Sequence, residues 1–190
     1  LIAFSPVYAA EQTSVRDQQA PGYYRMTLGK LRITAVSDGT VTVPLNKLLT
    51  NISPEKLNHA MARDSMTPQA ETSINAFVID DGKKRILIDT GAGELFGHNG
   101  GHLLTNLAAA GYPAESIDAV LLTHIHADHS GGVSRAAKPA FPKAEVFVDK
   151  RDVDFWLNPA NVSRVETSQA HTFAESERTL RPVINAGLLK

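Results

Sequence analysis

Apolar and polar positions alternate through much of the first half of the chain. From Tyr23 the period is two residues, the signature of half-buried strands. KLRITAVSDGTVTVPL, residues 30–45, reads as two β-rich runs joined by a hairpin at Ser37-Asp38-Gly39. The period then changes. Ser53-Pro54-Glu55 supplies an N-cap, a proline at the first helical position and an early acid, which predicts a helix through about Met66. TSINAFVIDDGKKRILIDTGAG, residues 72–93, predicts a second hairpin turning at Asp81-Gly82.

Beyond that point helices and strands alternate. Leu103, Leu104, Leu107 and Ala108 recur at helical spacing between His102 and Ala110, and Gly111 stops the run. IDAVLLT and AEVFVDK read as short strands, and DVDFWL as a short helix. Glu175 to Lys190 predicts a helix broken near Pro182. Hairpins followed by alternating α and β elements define an α/β (α+β) fold, a sandwich with sheets in the middle and helices outside. No internal repeat or low-complexity tract interrupts the pattern.

Composition narrows the chemistry. A chain of 190 residues with 43% apolar residues is long enough for one domain with a core. The formal net charge is -1, so no basic excess points to nucleic acid. There is no cysteine, which excludes thiolate metal sites and leaves His, Asp and Glu as metal donors. The start, LIAFSPVYAAEQ, reads as the tail of an export signal, with a small-residue cleavage pattern at Val7-Tyr8-Ala9. Residues 1–10 are therefore expected to be a signal-peptide remnant, and 11–22 a flexible polar segment before the domain at 23–190. A periplasmic or secreted location follows from that reading. No segment carries the roughly 18 apolar residues a membrane span needs.

One stretch concentrates chemistry. LLTHIHADHSGG places His124, His126, Asp128 and His129 directly after an apolar run. On a strand, His124 and His126 point the same way and can reach one metal ion. Asp128 and His129 follow a turn and can face a second point a few ångströms away. Gly131-Gly132 let the backbone pass close by. Nitrogen and carboxylate donors without sulfur suit zinc, with iron, manganese or cobalt as substitutes. Two such ions side by side activate a bridging water and stabilise charge on a substrate oxygen. The competing reading, solvated loop histidines, does not account for so dense a cluster.

THIHADH resembles the H-x-H-x-D-H signature of the metallo-β-lactamase-fold hydrolases, and LIDTGAG resembles that superfamily's earlier aspartate motif. APGYYRM, VSDGTV, ETS, DTGAGELFG, AGYPAESIDAVLLTHIHADHSGG and DVDFWL further resemble the methyl parathion hydrolase branch and its lactonase relatives. The resemblance implies an αββα sandwich holding two zinc ions, an exported protein, and a homodimer acting on a small-molecule substrate. It implies that His124 and His126 bind one metal. Asp128 and His129 would bind the other, with Asp128 also orienting the nucleophile as the catalytic group. It gives Asp89 a supporting place under the metals. It places Phe96, Trp156 and Phe173 at an aromatic substrate pocket, although Phe96 and Trp156 fit a core position equally well and Phe173 fits one better.

The sequence also departs from that pattern. A third histidine for the first metal, a bridging aspartate and a last histidine have no counterpart. His59, His98, His102 and His171 lie in unsuitable contexts, the middle two flanking a glycine-rich turn. The chain therefore reads as the first half of the sandwich, and the parent protein is expected to continue for roughly another hundred residues. The expected activity is hydrolysis of an ester, lactone or phosphotriester by a metal-bound hydroxide. Two alternatives stay open: a di-iron redox protein of the same superfamily, and a non-catalytic half-domain.

Overall fold

The computed structural model describes residues 20–190. The proposed signal remnant and most of the segment 11–22 lie outside the described residues. β1 (Tyr23–Leu28) turns at Gly29-Lys30 into β2 (Leu31–Pro44). A short helix α1 (Leu45–Leu48) and the helix α2 (Pro54–Arg63) lead to β3 (Gln69–Asp80) and β4 (Arg85–Ile88). Helix α3 (Leu103–Ala109) precedes β5 (Ala119–Leu121), and α4 (Ala127–Ser130) precedes a small ribbon, β6 (Ser134–Arg135) and β7 (Lys138–Pro139). β8 (Glu145–Phe147), α5 (Lys150–Trp156) and α6 (His171–Asn185) complete the order. The main sheet runs β1-β2-β3-β4-β5-β8. Its first four strands are antiparallel, and β4, β5 and β8 are parallel.

The predicted hairpin at Ser37-Asp38-Gly39 is corrected. β2 is one strand of 14 residues, and the register against β3 slips between Ser37 and Gly39. The three residues make a bulge, which bends the strand without reversing it. The turn at Asp81-Gly82 is where the pattern put it, with the Gly82 amide bonded to Asp80 Oδ1 at 2.8 Å. Ser53 caps α2, which ends at Arg63, three residues short of the expected Met66, because Ser65 takes a left-handed conformation (φ 56°).

The last helix is also corrected. α6 begins at His171 and passes through Pro182 to Asn185 without breaking. Phe173, Leu180 and Val183 are all buried on it, so its apolar face packs on both sides of the proline. That burial outweighs the one backbone bond the proline removes.

The core lies on one face of the sheet. Val36, Ala76, Val78, Leu87, Val120 and Val146 meet Leu103 and Leu107 of α3 and Leu180 and Val183 of α6 there. The opposite face is apolar too, but open among the described residues. Strand register aligns Tyr24, Ala35, Phe77, Ile88, Leu121 and Phe147 in one row across all six strands. Tyr24 is 72% exposed and Phe77 42%. Single exposed apolar residues are ordinary, whereas a continuous apolar row is a surface suited to burial against another layer. No helix among the described residues is long and apolar enough to cross a membrane.

Candidate metal centre

The histidine cluster sits where parallel strand β5 ends. The strand stops at Leu121, and residues 123–126 form a bend. The expectation that His124 and His126 lie on a strand is therefore corrected. Their common direction comes from the bend, anchored by Ile125, the residue between them in sequence, which is fully buried in the core. The Ile125 amide donates to Asp152 Oδ2 of α5 at 3.0 Å, which ties the bend to the helix carrying Trp156. His124 Nε2 and His126 Nδ1 come to 3.1 Å of each other.

Asp128 and His129 ride on the single turn of α4. His129 Nε2 lies 3.3 Å from Asp128 Oδ2, and its Nδ1 lies 2.8 Å from Asp89 Oδ2. The rings of His124 and His129 are 4.0 Å apart, so the two pairs are neighbours. The turn is held close to the loop after β4. The Thr90 amide and hydroxyl both donate to the His129 carbonyl, at 2.7 and 2.9 Å. A Cβ at Gly131 would overlap the Ala92 carbonyl, and one at Gly132 the Thr90 carbonyl, so glycine is required for this approach.

Asp89 holds a left-handed backbone conformation (φ 59°), which an aspartate tolerates better than most residues. Its carboxylate also accepts from the Thr123 amide at 2.7 Å and the Thr123 hydroxyl at 2.9 Å. Burial is the largest influence on Asp89 and raises its pKa. The bonds from His129 and Thr123 outweigh it and hold the group below its ordinary value. Asp128 is lowered, chiefly by its bond to His129. His129, between the Asp128 and Asp89 carboxylates, is pushed up to about 9. His124 is lowered by burial and by the neighbouring His129 and His126.

This donor set fits divalent ions in two partial sites. A tetrahedral ion with bonds of about 2.0–2.1 Å has ligand atoms about 3.3 Å apart. The spacings of 3.1 and 3.3 Å within the two pairs match one edge each of such sites. Asp89 on the remote nitrogen of His129 is the usual outer partner of a metal-bound imidazole. Among the described residues no group of three or more His, Asp or Glu side chains converges as a complete metal site. His59 is exposed on α2, and His171 pairs with Glu175 on α6 at 3.8 Å. Neither they nor His98 and His102 join the pairs.

The aromatic residues divide. Trp156 packs edge-on to the His126 ring at 5.6 Å and against Phe173 at 4.9 Å. Phe173 is buried and also meets Phe155, at 5.9 Å. Trp156, Leu157, Pro159 and Phe173 border a groove of about 410 Å³. Phe96 lies in the irregular 93–99 segment and is not among these stacked rings. Motif reading missed Asp38 and Asp152, which touch only backbone amides. Neither stood out in sequence: Asp38 lies in the turn-like Ser37-Asp38-Gly39, and Asp152 ends the charged run 149–152.

Fold and site together place a cluster of candidate metal donors at the end of a mixed α/β sheet, and the chain belongs to the Metallo-beta-lactamase superfamily, whose family model matches residues 70–168. A solved hydrolase, AbOPH, of the beta lactamase superfamily shares 34% identity with a TM-score of 0.82, covering 91% of this chain and 61% of that one. AidC, a dizinc quorum-quenching lactonase solved with its product N-hexanoyl-L-homoserine, shares 26% identity with a TM-score of 0.80, covering 89% of this chain and 60% of that one. The exodeoxyribonuclease WalJ of Streptococcus pneumoniae is 28% identical over 102 residues, 54% of this chain and 35% of the relative. The chain thus spans about a third of WalJ and three fifths of the two solved relatives.

Proposed function

We propose that the protein is a binuclear metal-dependent hydrolase of esters or lactones, or of phosphotriesters as in the methyl parathion hydrolase branch. The observation that carries this reading is the pair of adjacent ligand edges, His124–His126 and Asp128–His129, backed by Asp89. Divalent ions such as zinc, held by His124 and His126 and by Asp128 and His129, would supply Lewis acidity toward a substrate oxygen and acidify a water to near neutral pH. A complete centre needs further donors beside these four, and the open apolar face suits burial against a second layer.

The chain's own residues do the rest. Asp89 fixes the His129 ring through Nδ1, leaving Nε2 turned toward Asp128. Trp156, braced by Phe173, forms an apolar wall beside His126. That wall excludes water from one side and suits an aryl or acyl group next to the bond being cleaved. The kinship with a homoserine lactonase supports a lactone, and the aromatic wall supports an aryl ester or phosphotriester equally well.

The test is metal content by elemental mass spectrometry on the purified protein. Turnover of an aryl phosphotriester, an N-acyl homoserine lactone and an aryl ester is measured beside it. About two divalent ions per chain with turnover of one of these substrates is expected. Well under one ion per chain overturns the reading, and a visible di-iron spectrum replaces it with the redox alternative.

A further inference from the structure

Asp38 sits in the bulge of β2 and is fully buried. Four backbone amides converge on its carboxyl group. Oδ2 accepts from Ala92 at 2.8 Å, Gly93 at 3.2 Å and Gly101 at 3.0 Å, and Oδ1 accepts from Leu103 at 2.9 Å. Four donors closing on one buried group need a partner that only accepts, and a carboxylate is that partner. Unmet, those amides would each carry the cost of a buried, unpaired donor.

Two of the donors belong to the loop that begins at Asp89. That loop grips His129 at three points: Asp89 Oδ2 on Nδ1, and the Thr90 amide and hydroxyl on the carbonyl. The Gly132 amide adds a fourth tie, donating to the Gly91 carbonyl at 3.1 Å. Gly91 lies so close above Asp38 that a Cβ there would overlap its carboxyl group. The bulge therefore has a use: it turns one acid out of the β2 ladder and under this loop.

We propose that Asp38 is a positioning residue for the Asp128–His129 half of the centre. By pinning the Ala92 and Gly93 amides it fixes the 89–93 loop, and through that loop it fixes Asp89 and His129. The inference rests on the proposed role of His129 as a ligand, and its test separates the two.

Asp38→Asn and Asp38→Ala are compared with Ile117→Ala, a buried control away from the loop. The first readout is amide hydrogen exchange in metal-free protein. The reporter is the Thr123 amide, which bonds to Asp89 and touches nothing of Asp38. Its exchange relative to the Val78 and Leu87 amides is expected to rise roughly tenfold in Asp38→Asn and further in Asp38→Ala, the scale of one lost bond to a charged group. Ile117→Ala is expected to leave that ratio unchanged. Asn is intermediate because its amide nitrogen must face one of the four donors.

The second readout is zinc per folded chain, with one of the two ions lost in Asp38→Ala. An unchanged Thr123 ratio in both Asp38 variants overturns the inference. If the unaltered protein binds no zinc, the proposed function fails, and the exchange ratio alone still decides the role of Asp38. Should Asp38→Ala not fold, Asp38→Asn carries the test.

Discussion

Asp89→Asn isolates the electrostatic and tautomeric role of one atom. Asn has the same shape and tolerates the left-handed conformation at this position (φ 59°), so the backbone is expected to stay in place. The Thr123 amide, 2.7 Å from Oδ1, can only donate and so selects the amide oxygen of the new side chain, while the Thr123 hydroxyl can serve either atom. The amide nitrogen must then replace Oδ2 and donate to His129 Nδ1, 2.8 Å away. His129 is forced into the tautomer whose proton sits on Nε2, the atom facing Asp128. A protonated Nε2 cannot bind a metal.

Loss of an outer partner of this kind typically costs 10–100-fold in metal affinity. That range corresponds to about 1.4–2.8 kcal/mol. Zinc titration of the variant should show the loss confined to one of two ions. Nitrogen-15 NMR of the metal-free variant should show His129 Nδ1 without a proton, whereas in the unaltered protein, where His129 is raised to about 9, both ring nitrogens carry one at neutral pH. Unchanged affinity, or a retained proton on Nδ1, would refute the reasoning.

Removing metal exposes a pH dependence. His129 is raised to about 9, above its ordinary 6.5, so its contribution to metal-free stability is complete below 6.5. That contribution is lost as pH rises through about 9. Asp89 and Asp128 are lowered, so theirs is present above the unfolded value of 3.8 and lost on acidification below it. Metal-free melting temperature should therefore peak between these limits and fall toward pH 9–10, and a flat alkaline limb would contradict the His129 arrangement. Phe173→Ala, at a buried ring against Trp156 and Phe155, should cost about 3 kcal/mol by denaturant unfolding. Trp156→Ala, at a half-buried ring, should raise KM for aryl substrates more than it lowers melting temperature. Gly132→Ala should destabilise by about 1–3 kcal/mol and weaken zinc binding, since its Cβ meets the Thr90 carbonyl.

The sequence by itself determined the fold class and the donor cluster. Period-two alternation located the β-rich segments, and the helical spacing and stop signals located α2 and α3, because local pattern and local structure agree there. Four donors within six residues could be read directly, since neighbours in sequence share a turn in space. The superfamily could be read from the same residues. Local pattern failed where long-range packing decided. Ser37-Asp38-Gly39 has the composition of a turn, yet β3 pairs along the whole of β2 and makes it a bulge. Pro182 reads as a stop, yet buried apolar residues on both sides carry α6 past it.

Only the tertiary structure decided what stands behind the candidate ligands. Asp38 meets amides at 92, 93, 101 and 103, and Asp152 meets the amide at 125. Those partners are distant along the chain and are backbone groups, which every residue but proline carries. No residue-type pattern encodes such a pairing. It exists only once the strands and loops have closed around a carboxylate that would otherwise be buried alone.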